Sequence, residues 1–138
     1  MKKKILIVDD ESDLLDLLGL RLRANGYDVC IALNGVEGLR VAAEERPDLI
    51  LLDVSMPQMN GFQVCEHLRR NPVTRHTPIV LLTAKTRDTD KLIGMEAGAN
   101  DYVIKPFDMD ALLKTIAHHL TTPSMPHDYI TQKNPRRG

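Results

Sequence analysis

The sequence predicts an α/β fold: a doubly wound (βα)5 domain, with one five-stranded parallel sheet and helices on both faces. Two observations predict it. Five short apolar runs, at residues 5–8, 29–32, 49–52, 79–82 and 102–104, alternate with five helical patterns, as strands joined by crossover helices do. Runs one, three and four are apolar at every position, as strands covered on both faces should be.

The first run ends at Asp9-Asp10-Glu11, and Ser12 is a good N-cap for the first helix. That helix carries Leu14, Leu15, Leu18 and Leu22 on one stripe and stops at Asn25-Gly26. The second run comes after Asp28 and is weaker, which suits an edge strand. The second helix begins after Asn34-Gly35 and is expected to bury Val36, Leu39 and Ala43, with Pro47 ending the connection after it. The third helix begins after Asn60-Gly61, carries Phe62, Cys65 and Leu68, and ends near Asn71-Pro72. The fourth, over roughly 88–97, is the weakest, with thin apolar content. Gly94 lies inside it, at a cost of about 1 kcal/mol, and Gly98 ends it. The fifth begins after Asp108 and repeats Met109, Leu112, Leu113, Ile116 and Leu120. After residue 121 the pattern is lost, and Pro123, Pro126 and Pro135 fall among few apolar residues. The domain is expected over 1–121, with 122–138 a flexible tail or the start of a linker.

Composition narrows the function. At 43% hydrophobic residues the chain is globular rather than disordered. A formal net charge of −1 gives no attraction for nucleic acid or membrane surfaces. No stretch approaches the roughly 20 apolar residues of a membrane span. The start resembles a secretory leader only briefly, because its apolar run ends in three acids. Cys30 and Cys65 sit in apolar-patterned segments and read as small hydrophobes of a reduced, cytoplasmic protein.

The chemistry lies at the carboxyl ends of the central strands. Asp9 and Asp10 come after Val8, Asp53 after Leu52, Thr83 after Leu82, and Lys105 after Ile104. In an open parallel sheet the carboxyl ends of the strands line one edge, where ligands bind. Any one of these residues could be an ordinary turn or cap residue; five in register at strand ends are hard to explain that way. Three carboxylates together repel one another, and a hard divalent cation with oxygen ligands, Mg²⁺ foremost, resolves the conflict. A carboxylate beside such a cation, an ammonium and a hydroxyl is equipped for phosphoryl transfer and can itself form an acyl phosphate. Asp53, alone on the central strand, is the natural nucleophile.

These residues, with Lys105-Pro106-Phe107 and the segment Leu51-Leu52-Asp53-Val54-Ser55-Met56-Pro57-Gln58-Met59-Asn60-Gly61-Phe62, resemble the response-regulator receiver domains of two-component signalling. The likeness covers about residues 3–120. It implies a flavodoxin-like sheet in order 2-1-3-4-5 and a cis bond before Pro106. It implies Asp53 as phosphoacceptor, with Mg²⁺ (or Mn²⁺ in its place) held by Asp10, Asp53 and the Ser55 backbone carbonyl, and by Asp9 through water. Lys105 would pair with the phosphoryl oxygens or, before transfer, with Asp53. Thr83 would move to the phosphoryl group, and Tyr102 would turn inward after it. The donor would be a phosphohistidine on a sensor histidine kinase or histidine phosphotransfer protein. Slow loss of the phosphoryl group would be the chain's only further activity, tuned at Ser55 and Lys85. The face of the fourth helix, fifth strand and fifth helix would carry the signal to an output partner or a second copy, without direct nucleic-acid or membrane contact.

Three other readings fit less well. A haloacid-dehalogenase-type phosphohydrolase needs an acid two residues after the nucleophile, where Ser55 stands. A flavin-binding domain needs a phosphate loop after strand one, where three acids would repel phosphate. A pure interaction module would not need the intact acid, hydroxyl and ammonium set. Of His67, His76, His118, His119 and His127, the adjacent His118 and His119 near a helix C-terminus have a simpler account than metal binding in the helix dipole.

Overall fold

The computed structural model describes residues 2–84 and 88–121; Lys85 and the expected tail lie outside them. Ten elements alternate: β1 (Lys4–Val8), α1 (Ser12–Ala24), β2 (Asp28–Ala32), α2 (Gly35–Glu45), β3 (Leu49–Asp53), α3 (Gly61–Arg70), β4 (Ile79–Thr83), α4 (Asp88–Ala97), β5 (Asp101–Ile104) and α5 (Met109–Thr121). The strands form one sheet in order β2-β1-β3-β4-β5, every pair parallel. The weak second run is at an edge, and β1, β3 and β4 fill the middle.

Alternation along the central strands builds two cores, because successive side chains point to opposite faces. Ile5, Ile7, Leu49, Leu51, Val80 and Leu82 meet Leu15, Leu18 and Leu22 of α1 and Leu112 and Ile116 of α5. Leu6, Val8, Ile50, Leu52, Ile79 and Leu81 meet Val41 and Ala42 of α2, Val64, Cys65 and Leu68 of α3 and Ala97 of α4. Both cysteines are free thiols, Cys65 buried and Cys30 half-buried. Burial pushes the Cys65 thiol up to about 11, so it is an inert apolar group. Among the described residues no helix is long and apolar enough to cross a membrane.

Some local expectations differ from the structure. Ser12 is the first residue of α1 and not its cap: Glu11 holds the cap position and makes no side-chain capping bond. The Glu11 amide instead donates to Asp9 Oδ1 at 2.9 Å, a turn closed by an aspartate side chain that starts the helix one residue early. In α2, Val36 is 61% exposed and Ala43 only half-buried. The buried stripe is Gly35, Gly38, Val41 and Ala42, because Gly38 lets the helix lie on Val8, whose methyls would be 3.0 Å from any Cβ there. In α3, Phe62 is half-buried and Val64 takes the inner position.

Candidate functional site

Each functional side chain is delivered by the end of a strand. β1 and β3 pair Val8 with Leu52, so Asp9 and Asp53, one residue further on, stand side by side. Asp53 and Thr83 are the last residues of β3 and β4 rather than the residues after them. Thr83 is in register with Ile104, and its carbonyl accepts the Lys105 amide at 2.8 Å. The Lys105–Pro106 peptide is cis, as the resemblance implied.

The structure brings the acids and the ammonium together. Lys105 Nζ lies 3.1 Å from Asp53 Oδ1 and 3.1 Å from Asp9 Oδ2. Carboxylate oxygens of Asp9, Asp10 and Asp53 lie within 4.8 Å of one another. Asp9 and Asp53 are buried, while Asp10 faces solvent. Burial, and then the neighbouring Asp9 charge, raise the Asp53 pKa above the usual carboxylate value, against the opposing pull of Lys105 and a hydrogen bond from the Ser55 backbone. Burial works against the Lys105 ammonium, yet Asp53 and then Asp9 outweigh it and hold its pKa above the ordinary lysine value.

Three carboxylates against one ammonium leave excess negative charge in a partly buried pocket. The convergence of three oxygens, one of them on the open side, fits a hard divalent cation. Thr83 is buried at the same edge, and its side chain is hydrogen-bonded to the Tyr102 hydroxyl. Tyr102 is half-buried on β5, so hydroxyl and aromatic are already linked. His119, by contrast, pairs at 2.8 Å with Asp101, the first residue of β5, and the His118 ring packs edge-on against that of His119. Neither belongs to the acid cluster.

Sequence reasoning missed two contributors. Glu11 orients Asp9 through its amide and brings its own carboxylate to 3.8 Å from Lys105; the three-acid run was the available signal. Gly61 was read only as a helix start. Its amide donates to the Val54 carbonyl at 2.9 Å, and a Cβ there would lie 2.5 Å from the Asp53 carbonyl oxygen. Only glycine lets α3 begin directly against the backbone that carries Asp53.

Residues 5–117 match the family described as response regulator receiver domain. The alkaline phosphatase synthesis transcriptional regulatory protein PhoP of Bacillus subtilis is 46% identical over 119 residues, 84% of this chain and 49% of PhoP. The chain spans about half the length of the first curated relatives it matches. The chemotaxis protein CheY4 of Vibrio cholerae superposes with a TM-score of 0.83 at 36% identity, over 87% of this chain and 100% of that one. The receiver domain of a sensor histidine kinase from Pseudomonas aeruginosa, solved with a magnesium ion coordinated in its active-site cleft, gives a TM-score of 0.81 at 30% identity, over 88% and 100% of the two chains. Family match, sequence identity and superposition thus agree with the observed strand order, and the chain belongs to the response regulator receiver domains of two-component systems.

Proposed function

We propose that this chain is a phosphoryl-accepting switch with Asp53 as the acceptor. The observation that carries the reading is the placement of Asp53: buried at the end of the central strand, 3.1 Å from Lys105 and within 4.8 Å of the Asp9 and Asp10 oxygens. An Asp53 carboxylate oxygen forms a bond to phosphorus as the phosphorus–nitrogen bond of a donor phosphohistidine breaks, and the departing imidazole takes up a proton. Asp10, Asp53 and the Ser55 carbonyl would hold Mg²⁺ or Mn²⁺, with Asp9 supporting the ion through water. When bound, that ion offsets charge on the phosphoryl oxygens. Lys105 leaves its ion pair with Asp53 to meet one of those oxygens, and the Thr83 hydroxyl leaves Tyr102 to meet another.

The donor is a sensor histidine kinase or histidine phosphotransfer protein in the cytoplasm. The chain's catalysis is limited to its own modification and slow hydrolysis, influenced by Ser55 and by Lys85, which lies outside the described residues. The face formed by α4, β5 and α5 carries the signal to an output domain, a partner or a second copy. PhoP is a transcriptional regulatory protein, which favours an output lying beyond this segment rather than DNA contact by it.

Incubation with acetyl phosphate and Mg²⁺, read by intact mass, tests the reading. One phosphoryl adduct is expected on the native chain and none on Asp53→Asn. An adduct that persists in Asp53→Asn, or a native chain that gains none, overturns it.

A further inference from the structure

The two ends of α4 are held in different ways. Among its described side chains the buried ones are Asp90, Gly94 and Ala97, an acid and the two smallest residues. Gly94 rests on the sheet: a Cβ there would lie 2.8 Å from Leu81 Cδ1, 3.5 Å from Phe62 Cε1 and 3.8 Å from Tyr102 Cδ2. The N-terminal half faces the switch residues, because Asp90 lies within electrostatic reach of Tyr102, whose hydroxyl is bonded to Thr83.

The C-terminal end is riveted. Arg69, from the last turn of α3, donates from Nε to the Gly98 carbonyl at 2.8 Å and from Nη2 to Asn100 Oδ1 at 2.8 Å. Its Nη1 donates to the Thr77 carbonyl at 2.7 Å and, at 3.3 Å, to those of Thr74 and Arg75. All five acceptors are neutral oxygens, and the guanidinium reaches them from all three of its nitrogens, with the two N–H groups of Nη1 shared among three carbonyls. Asn100 passes the connection to β4, taking the Ile79 amide at 2.9 Å and giving its own amide to the Ile79 carbonyl at 2.8 Å. Gly98, at φ +109°, leaves no room for a side chain, since a Cβ would lie 2.7 Å from Arg69 Cγ. Cys65 Sγ adds a contact to the Ala97 carbonyl at 3.4 Å.

We infer that Arg69 is a positioning residue that pins the C-terminal end of α4, so that the helix answers the site by swinging its N-terminal half about residues 97–100. The pin stands on these contacts alone; the swing rests on the Asp53 reading above.

Residue-resolved amide exchange by NMR on the full chain tests the pin without phosphorylation. In the native chain the amides of Ala97, Gly98 and Ala99 exchange more slowly than those of Leu92 and Ile93, by on the order of tenfold or more. Arg69→Lys keeps the charge but has one nitrogen, which cannot reach Gly98, Thr77 and Asn100 together. In this variant the gradient flattens by the same factor, while Leu18 and Leu22 in α1 stay as protected as before. A native chain without the gradient, or a lysine variant that keeps it, overturns the pin. Acetyl phosphate with Mg²⁺ then tests the swing, with adduct formation followed by mass. Shift changes decline from Leu92 to Ala99 in the native chain and run on through Asn100 in Arg69→Lys, which still forms the adduct. Equal changes along the whole of native α4, with the adduct present, refute the swing. Absence of the adduct refutes the Asp53 reading and with it the swing, and leaves the exchange gradient to decide the pin.

Discussion

α1 and α4 cover opposite faces of one sheet and are attached to it by opposite means. α1 buries Leu15, Leu18 and Leu22, each contributing about 1.5–3 kcal/mol through burial. α4 turns Asp90, Gly94 and Ala97 inward, while its large apolar residues Leu92, Ile93 and Met95 are 59%, 46% and 50% exposed. α4 is therefore not short of apolar residues, as its sequence suggested; they point the other way. Hydrophobic burial anchors one helix as scaffold. The other buries little apolar area and is tied by the Arg69 bonds at its C-terminal end, the footing on which the proposed swing rests.

The largest expected effect tests the scaffold. Leu18→Ala should lower unfolding free energy by about 2–5 kcal/mol, measured by urea denaturation. A cost under about 1 kcal/mol would place α1 with α4 and remove the contrast.

A smaller effect concerns the carboxyl ends of β1 and β3, where buried Asp9 and Asp53 stand side by side. The folded-state pKa of Asp53 is raised, by burial first and Asp9 second. A raised acid pKa means that the folded chain binds this proton more tightly than the unfolded chain. The ionised group thus costs stability as pH climbs from the ordinary carboxylate range through the raised value, and the cost disappears in acid. Asp53→Asn should therefore be more stable than the native chain at pH 7 without divalent metal, and the gap should close as pH falls towards 4. Mg²⁺ should stabilise the native chain more than the variant. Equal denaturation midpoints at pH 7 would remove the argument for strain.

Gly94→Ala should change stability by no more than about 1 kcal/mol, because the helix-propensity gain offsets the repacking of Leu81. The ring resonances of Tyr102, 3.8 Å from the new methyl's position, should nonetheless shift. A loss as large as that of Leu18→Ala would make α4 a core helix. The smallest effect is electrostatic. Burial, and to a lesser degree the Asp90 charge, raise the Tyr102 pKa, so Asp90→Asn should bring the hydroxyl's titration down towards the ordinary value. Ultraviolet titration against a Tyr102→Phe control measures it, and an unmoved curve would uncouple the front of α4 from Tyr102.

The strands and the site were legible in the sequence for the same reason. Continuous apolar runs such as 49–52, alternating with helical patterns, read as central strands, and a polar residue at the end of each then falls at one edge by topology. The faces of the short helices were less legible. Hydrophobic pattern favoured Val36 over Gly38, because a glycine's value lies in the neighbour it admits, here Val8. Gly61 and Arg69 were hidden for a related reason. One is set by the backbone of Asp53 and the other by carbonyls up to 29 residues away, and neither contact leaves a periodic trace.

The Asp53 backbone has almost nowhere to go. It ends a strand paired on both sides, the next amide donates to the Leu82 carbonyl at 3.0 Å, and Gly61 backs its own carbonyl. That immobility supplies the molecule with an internal datum. A probe at Asp16, exposed on α1, shares the frame of this fixed post, whereas one at Lys91, exposed in the N-terminal half of α4, reports on the half proposed to swing. If Asp53 accepts a phosphoryl group and α4 swings as proposed, the separation between the two labels would turn chemistry at a single carboxylate into a change of length, and the domain would serve as a ruler for its own signal.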